Sequence, residues 1–320
     1  MTTNPHVLVT SVAAKVQLIE SLTQACRDYG VRLFATDISP NSPALYFADD
    51  YQLLPKISDD NYLDALFQFC RDQQIGHIIP TRDQDLLFFA EHSNQLAQQG
   101  IGLLMSDSDT IRTCSNKHQF HAACVAKGLP ILPQLAPDEL HYPCVAKQAY
   151  SSAGTGVHLL SDQAALSQLL AEYPAEAFLF EPYVPYDEYS IDAFYANNGI
   201  CIQAVARQRL IVVGGESKVS RVVDNPELVA LAHRLSSAFD FSGHVTIQAF
   251  YVDGRSYLIE VNPRFGGASN LSIVAGLDSP RKLIASVCGD DATVERVNPI
   301  QYGLKMLRYS KDLMIQDDVE

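Results

Sequence analysis

The first third of the chain alternates short apolar strands with amphipathic helices, and this alternation restricts the fold more than any other feature. The strands are predicted at His6 to Thr10, Val31 to Thr36, His77 to Ile79 and Ile101 to Met105. The helices between them are predicted at Val16 to Tyr29, Tyr62 to Arg71 and Asp85 to Leu96. Successive strands joined by helices pair in parallel. The segment is therefore expected to form an α/β domain with a doubly wound parallel sheet.

Polar residues follow several of these strands. Thr10-Ser11, Asp37 and Thr81-Arg82-Asp83 fall at the carboxyl ends, where sheets of this class bind ligands, although ordinary loop polarity explains them equally well. The first strand is followed by TSVAAK rather than a G-x-G-x-x-G turn. The segment is therefore not interpreted as a dinucleotide site.

The pattern changes after Leu129-Pro130 to mixed strands and helices, which indicates an α+β region. A strand from Pro143 to Lys147, a loop of small residues from Ser151 to Gly156 and a strand from Val157 to Leu160 predict a hairpin. Backbone N–H groups in such a loop can cover phosphates, but the loop does not open a helix with G-K-[ST]. It is not a Walker P-loop, and a purely structural hairpin stays an alternative.

The remaining elements form the second half of the α+β region. Strands are predicted at Phe178 to Tyr183, Glu188 to Tyr195, Ile200 to Ala206, Ser242 to Val252 and Ser256 to Asn262, with a helix at Pro226 to Phe239. The segment from Val212 to Lys218 is predicted to be a mobile loop.

The stretch from Ser256 to Gly276 carries the sharpest chemical signal. Glu260 and Asn262 lie two residues apart at a strand end, so the strand repeat sends both side chains to one face. A carboxylate and an amide oxygen suit a hard cation such as Mg²⁺. Arg264 follows, where its fixed charge could face phosphate oxygens. The alternative is a strand end capped by polar residues before the Gly266-Gly267 turn.

Four other potential metal ligands, Cys114, His118, His121 and Cys124, are predicted to share one helix. Their spacing matches no standard zinc arrangement, and four ligands on one helix cannot easily surround a tetrahedral ion. No zinc site is predicted.

Composition excludes several classes of partner. A net charge of −14 and a pI near 5.0 argue against nucleic acid or an anionic membrane as partner, so an anionic ligand would need a local basic site. Neither a signal peptide nor an apolar run of membrane-spanning length is visible. Seven cysteines without a C-x-x-C motif are typical of free thiols in a reducing compartment. A cytoplasmic protein is expected.

Taken in order, these motifs resemble the ATP-grasp superfamily, and within it the carbamoyl-phosphate-synthase-like single-module carboxylate–amine ligases. The resemblance covers nearly the whole chain. It implies a pre-grasp Rossmann-like domain at 1–112, a central grasp subdomain at 113–186 and a C-terminal grasp subdomain at 187–320. It also implies ATP and Mg²⁺ as cofactors, with Mn²⁺ as an alternative ion.

The resemblance assigns roles residue by residue. It implies nucleotide contacts from Lys117, Lys147, Ser151, Ser152, Gly154, Gly156, Glu181, Tyr183, Val184 and Glu188. Among these, Lys147 would reach the α-phosphate, Glu181 to Val184 would form the adenine hinge, and Glu188 would bind the ribose. The implied metal ligands are Gln248, Glu260 and Asn262, and Gln248 in place of an acid leaves the number of ions open.

The implied catalytic groups are cations. Arg264 and Lys147 would offset charge on the nucleotide and the transferred group, and Arg207, Arg209 and Lys218 would add charge beside an acylphosphate. For these last three, a solvated basic turn is the alternative.

The resemblance implies an enzyme that activates a small carboxylate as an acylphosphate, couples it to an amine and releases ADP. The alternatives are a carbamoyl-phosphate-type kinase step and a non-catalytic ATP-binding regulator. The expected partners are small molecules. Arg82 is a candidate ligand for a substrate carboxylate, and a surface ion pair is the alternative for it. The oligomeric state is left open, with a homodimer among the alternatives.

Overall fold

The computed structural model describes residues 5–150 and 156–316, which form three β-sheets. The first sheet has five parallel strands in the order β3-β2-β1-β4-β5. Its strands are β1 His6–Thr10, β2 Leu33–Asp37, β3 Asp50–Leu53, β4 Ile75–Pro80 and β5 Gly102–Leu103. Its helices are α1 Val16–Asp28, α2 Tyr62–Asp72, α3 Asp83–Glu91 and α4 Ser93–Gln98, with a 3-10 turn at Pro43–Phe47. The predicted parallel α/β domain is confirmed.

One prediction for this domain was wrong in detail, and one strand was missed. The single helix expected from Asp85 to Leu96 is two helices, because the chain leaves helical geometry at His92 (φ −100°, ψ 12°). The edge strand β3 was missed because all four of its residues are exposed, so it carries no apolar alternation.

Alternating strand residues pack both faces of this sheet. Val7 and Val9 enter one core and Leu8 enters another, as the two-residue repeat of a strand requires. The first core also contains Phe265 and Leu283, which lie far along the chain. The N-terminal sheet is therefore packed directly against the C-terminal part of the protein.

The second sheet is small and antiparallel, in the order β7-β6-β8. Its strands are β6 Cys144–Gln148, β7 Val157–Leu160 and β8 Phe178–Pro182, and it is accompanied by α7 Gln163–Glu172 and a 3-10 turn at Ala175–Ala177. The predicted hairpin is present in its two strands. Ser151, Ser152 and Gly154 of its loop lie outside the described residues.

The helical segment before this sheet also differs from expectation. The residues predicted on one helix are divided between α5 Ser108–Ser115 and α6 Lys117–Ala126, because Asn116 is extended and caps α6. Its Oδ1 accepts hydrogen bonds from the backbone N–H groups of His118 (3.0 Å) and Gln119 (3.1 Å). Cys114 therefore belongs to a different helix from His118, His121 and Cys124.

The third sheet has six strands in the order β13-β12-β9-β10-β11-β14, paired antiparallel throughout. The strands are β9 Glu188–Tyr195, β10 Cys201–Val213, β11 Glu216–Val222, β12 Gly243–Val252, β13 Arg255–Asn262 and β14 Lys305–Leu307. The helices are α8 Pro226–Leu235, α9 Ser269–Ser272, α10 Ser279–Cys288 and α11 Asp291–Val294, with a π-helical turn at Ile273–Leu277.

The prediction of a mobile loop from Val212 to Lys218 was wrong. Strands β10 and β11 form a hairpin through Gly214 and Gly215, which have φ values of 57° and 77°. Such left-handed backbone favours glycine and allows the chain to reverse tightly. Consequently Arg207 and Arg209 lie within β10 and not in a solvated basic turn.

Each of the three predicted domains contains one of the sheets, with β1 to β5 in 1–112, β6 to β8 in 113–186 and β9 to β14 in 187–320. The first boundary falls inside α5, and the division itself stays a prediction. Among the described residues, no helix is long and apolar enough to cross a bilayer.

Candidate active site

A cavity of about 990 Å³ lies where the three sheets meet, and it gathers most of the predicted site residues. Those lining it are Lys117, Lys147, Glu181, Tyr183, Val184, Glu188, Arg207, Arg209, Gln248, Glu260, Asn262 and Arg264. Gly156 is not among the lining residues; it closes the β6–β7 hairpin, where its carbonyl accepts a hydrogen bond from the Gln148 N–H at 2.8 Å.

Lys147 and Glu181 form a buried ion pair at one wall of the cavity. The antiparallel pairing of β6 with β8 brings them together, and Lys147 Nζ lies 2.5 Å from Glu181 Oε2. Their side chains are only 10% and 3% exposed. The ammonium group has three donors, so this pairing leaves Lys147 able to donate to a ligand as well.

Lys117, the first residue of α6, lines the same cavity. Burial lowers its pKa, while the nearby Glu260 carboxylate favours the charged form. Helix α6 and strand β6 therefore each contribute one lysine to a cavity that also contains the acidic end of β13.

Glu260 is bonded to both amide side chains of the predicted metal trio. Its Oε1 accepts from Gln248 Nε2 at 2.9 Å and from Asn262 Nδ2 at 3.0 Å. Cross-strand pairing places Gln248 opposite Glu260, and the strand repeat places Asn262 on the same face as Glu260.

This trio contains one carboxylate and two amide oxygens, and the amide oxygens accept hydrogen bonds from Arg209 and Arg264. Such a set fits Mg²⁺, which prefers oxygen ligands and usually completes its shell with waters and phosphate oxygens. In the described part of the chain, no group of three His, Cys, Asp or Glu side chains could hold a metal. A metal bound there would therefore need the amide oxygens of Gln248 and Asn262.

Arg209 connects the predicted ribose acid to this trio. Its Nη1 donates to Glu188 Oε2 at 2.5 Å and to Gln248 Oε1 at 2.9 Å. Its Nη2 donates to the Gly215 carbonyl at 2.7 Å and its Nε to Ser217 Oγ at 3.0 Å. Arg209 is therefore held by the β10–β11 hairpin and in turn positions Glu188.

Arg207 is a buried residue of the cavity wall and is paired with Asp192, which the sequence did not single out. Arg207 Nε lies 2.7 Å from Asp192 Oδ2, and both residues are at most 2% exposed. Burial opposes ionisation, but the guanidinium charge of Arg207 and contacts with His244 hold the pKa of Asp192 well below its usual range. The positive charge of Arg207 is thus balanced by a buried carboxylate.

Asp192 also anchors the turn that follows β13. It accepts hydrogen bonds from Thr246 Oγ1 (2.8 Å), Ser269 Oγ (2.8 Å) and Ser272 Oγ (2.6 Å). Ser269 Oγ in turn accepts from the Gly266 N–H at 2.8 Å. This network fixes the backbone just after Arg264.

Arg264 bridges the trio and the N-terminal domain. Its Nε and Nη2 donate to the two carboxylate oxygens of Asp83 at 2.6 and 2.7 Å, and Nη2 also lies 3.3 Å from Asn262 Oδ1. Lys218, in contrast, pairs with Glu216 at 2.8 Å and does not line the cavity.

Several cavity residues were not predicted as site residues, notably Lys15, Asp83 and Arg308. Arg308 Nη2 donates to the Gly267 carbonyl and Nη1 lies 3.3 Å from Glu216 Oε2, because β14 pairs with β11. The polar strand ends gave a signal for the region around Asp83. No sequence motif marks Arg308, which reaches the cavity only through a distant strand pairing.

Two family models match separate parts of the chain. Residues 7–104 match the PylC-like N-terminal domain, and residues 175–311 match the ATP-grasp family described as acting in the biosynthetic pathway with the Ter operon. Together the two matched segments cover more than half of the chain.

The curated relatives include carbamoyl phosphate synthases. The arginine-specific large chain of Geobacillus stearothermophilus is 22% identical over 191 residues, which is 53% of this chain and 18% of that protein. The N-terminal section of the Methanopyrus kandleri large chain is 23% identical over 288 residues, which is 78% of this chain and 50% of that protein. The chain thus spans half or less of the length of these relatives.

Solved structures share the fold. The N5-carboxyaminoimidazole synthetase of Staphylococcus aureus, complexed with ADP, matches with a TM-score of 0.71 at 17% identity. The match covers 94% of this chain and 81% of the synthetase chain. The biotin carboxylase domain of Hydrogenobacter thermophilus 2-oxoglutarate carboxylase was solved as a dimer with MgADP, ADP and bicarbonate. It matches with a TM-score of 0.74 at 16% identity, and the match covers 95% of this chain and 74% of the carboxylase chain.

Proposed function

The chain is a member of the ATP-grasp superfamily, and from that premise we propose that it is an ATP-dependent ligase. In the proposed reaction it activates a small carboxylate as an acylphosphate, joins the acyl group to an amine and releases ADP and phosphate. The observation that carries the proposal is the meeting of three features in one cavity: the Lys147–Glu181 pair, the trio around Glu260, and Arg264.

The first step is transfer of the γ-phosphoryl group. A carboxylate oxygen attacks the γ-phosphorus, the bond from that phosphorus to the β,γ-bridging oxygen breaks, and ADP leaves with the electron pair. Catalysis of such a transfer rests on positioning and on neutralising charge. Lys147 would hold the nucleotide phosphates, and Arg264 would offset charge on the transferred group.

Gln248, Glu260 and Asn262 are the residues that would hold Mg²⁺, or Mn²⁺ in its place. A bound ion would neutralise part of the negative charge on the phosphate oxygens. Tyr183 and Val184 would face the adenine, and Glu188, oriented by Arg209, would accept hydrogen bonds from the ribose hydroxyls.

The second step is attack of the amine nitrogen on the acyl carbon. The bond from that carbon to the phosphate oxygen breaks, phosphate leaves, and the nitrogen loses a proton to solvent or a base. The two substrates are proposed to be small molecules, with neither nucleic acid nor a membrane as partner. All seven cysteines are unpaired, which supports a reducing, cytoplasmic location.

A second candidate reaction uses bicarbonate or carbamate as the carboxylate. The names of the carbamoyl phosphate synthase relatives favour it, since those proteins share sequence with this chain. It predicts ADP formation that depends on bicarbonate without any organic acid.

Trapping with hydroxylamine tests the proposal, because hydroxylamine converts an acylphosphate to a hydroxamate. Pools of small acids, each with ATP, Mg²⁺ and excess hydroxylamine, are expected to give a hydroxamate and ADP with at least one pool. With the cognate amine present, amide should replace hydroxamate because a bound nucleophile has a proximity advantage. Formation of AMP and pyrophosphate would refute the mechanism, and tight ATP binding without product in any pool would favour a regulatory protein.

A further inference from the structure

The N-terminal domain contributes its own cations to the cavity. Lys15, directly before α1, and Arg82, directly before α3, line it on the side of Arg264. The groups assigned to the nucleotide and the metal come from the other two sheets and α6. Lys15 and Arg82 therefore have no task in the ATP site described above.

Within residues 5–150 and 156–316, neither of these two cations has a carboxylate partner. Lys15 Nζ donates to the Ser11 carbonyl at 2.8 Å, and Arg82 Nη2 donates to Gln84 Oε1 at 3.0 Å. Among the ion pairs of the described residues, Arg264 has Asp83, whereas Lys15 and Arg82 have none. Since an ammonium and a guanidinium carry three and five N–H donors, most of their donors remain available.

The neighbouring acids Asp85 and Asp37 are held by hydrogen bonds to other groups. Asp85 is buried and accepts from Thr10 Oγ1 at 2.9 Å, and Asp37 accepts from the Ala13 N–H at 2.8 Å. Burial is the main cause that lowers the pKa of Lys15 to about 8, and the charges of Arg264 and Arg82 lower it further while Asp85 and Asp37 oppose them. An anion beside Lys15 and Arg82 would accept from their remaining donors and favour the charged form of Lys15.

The loop that presents Lys15 is held in an unusual conformation. Ser11 and Ala13 have φ values of 54° and 46°, a backbone region that non-glycine residues rarely occupy. Thr81 Oγ1 fixes this loop by bonding to the carbonyls of Thr10 (2.7 Å) and Ser11 (3.0 Å). Strain that is maintained in this way at a cleft is typical of functional sites.

We propose that Lys15 and Arg82 form a subsite for an anionic group that one of the two substrates carries in addition to its reacting group. This inference rests on the proposed ligase function. The preferred substrates would then be dicarboxylates, amino acids or phosphorylated molecules, and not simple monocarboxylates and amines. Carboxylate and phosphate share the chemistry that a lysine and an arginine recognise together.

Anion binding in the presence of a nonhydrolysable ATP analogue and Mg²⁺ tests the subsite without turnover. Malonate and inorganic phosphate are titrated in separate arms, and the rise in the thermal unfolding midpoint gives an apparent Kd for each. Lys15→Gln and Arg82→Gln should each raise the Kd of the anion that binds by about tenfold, since each removes a hydrogen bond to a charged group. The arm with the lower Kd in the wild-type protein identifies the group as carboxylate or phosphate.

Lys56→Gln is the matched control, because Lys56 is an exposed cation of the same domain away from the cavity. It should leave both titrations unchanged, and direct binding of the ATP analogue should be unaltered in all three variants. Equal anion affinity in wild type, Lys15→Gln and Arg82→Gln, or an equal loss in Lys56→Gln, would overturn the subsite. Failure of the ligase proposal has a different signature, in which anion binding depends on Lys15 but no acid gives ADP or a hydroxamate.

Discussion

Arg264 and Asp83, 181 residues apart in the chain, form a two-pronged ion pair with contacts of 2.6 and 2.7 Å. Asp83 opens α3 of the N-terminal domain, and Arg264 lies two residues after the end of β13, which carries Glu260 and Asn262. The N-terminal domain therefore determines where the guanidinium points. A cation proposed to act on the transferred phosphoryl group is positioned from outside the six-stranded sheet whose strand β13 precedes it.

Asp83→Asn is expected to lower kcat by about tenfold while the affinity for ATP changes little, because losing a charge-assisted hydrogen bond weakens positioning and not nucleotide contacts. Steady-state rates and direct ATP binding measure the two effects. Asp64→Asn, an exposed acid on α2, is the control and should behave as wild type. An equal loss of kcat in both variants would contradict the positioning role.

Glu260→Gln is expected to reduce ATP turnover by about a hundredfold or more in a folded protein, as loss of preorganised charge stabilisation typically does. The Mg²⁺ concentration for half-maximal rate should also rise, because Glu260 is the trio's single carboxylate. Glu295→Gln, exposed and outside the cavity, is the matched control. Near-normal turnover in Glu260→Gln would remove the metal assignment.

Lys147→Ala and Glu188→Ala should both weaken ATP binding by about tenfold or more, since each removes a hydrogen bond to or from a charged group. They should differ in stability. Lys147→Ala leaves the buried Glu181 carboxylate unpaired and should lower the free energy of unfolding by about 3 kcal/mol, whereas Glu188 is 40% exposed and its loss should have a small effect. Calorimetric ATP titrations and urea unfolding separate the two effects, and unchanged ATP affinity in both variants would mean that the nucleotide site is misplaced.

Asp192→Asn should destabilise the protein by about 3 kcal/mol, because it leaves the guanidinium of Arg207 buried without a counter-charge. The pKa of Asp192 is depressed in the folded state, so its contribution is present above the unfolded value of 3.8 and is lost as the pH falls below it. The unfolding free energy of the variant should therefore decline less steeply below about pH 4. Parallel acid titrations of the two proteins would contradict this assignment.

Malonate binding should weaken as the pH rises above about 8, the pKa of Lys15, because the neutral amine no longer attracts an anion. A bound anion stabilises the charged form, so the loss should begin at a higher pH when malonate is present. Lys15→Arg keeps its charge throughout this range and should flatten the profile. The measurement is the apparent Kd of malonate at a series of pH values, and an identical profile in Lys15→Arg would show that another group titrates.

The sequence by itself determined the elements whose side chains repeat regularly. Val157–Leu160 and Glu188–Tyr195 were predicted with the bounds that the structure has, because their apolar residues follow a strand pattern. The same repeat placed Glu260 and Asn262 on one face, and their side chains are in contact at 3.0 Å. The two-residue period acts within a single strand, so no knowledge of distant partners is needed.

Only the tertiary structure decided which charges meet. Three contacts join separate elements, and no local period relates the positions of their residues. They are Arg264 with Asp83, Arg207 with Asp192, and Arg308 with the Gly267 carbonyl. The exposed strand β3 and the β10–β11 hairpin were missed for a related reason, since partner strands and glycine geometry stabilise them more than their own pattern does. Local sequence sets the direction of side chains along an element. Strand order and packing set which side chains face the same cavity. The long-range contacts that result decide how each charge in this site is balanced.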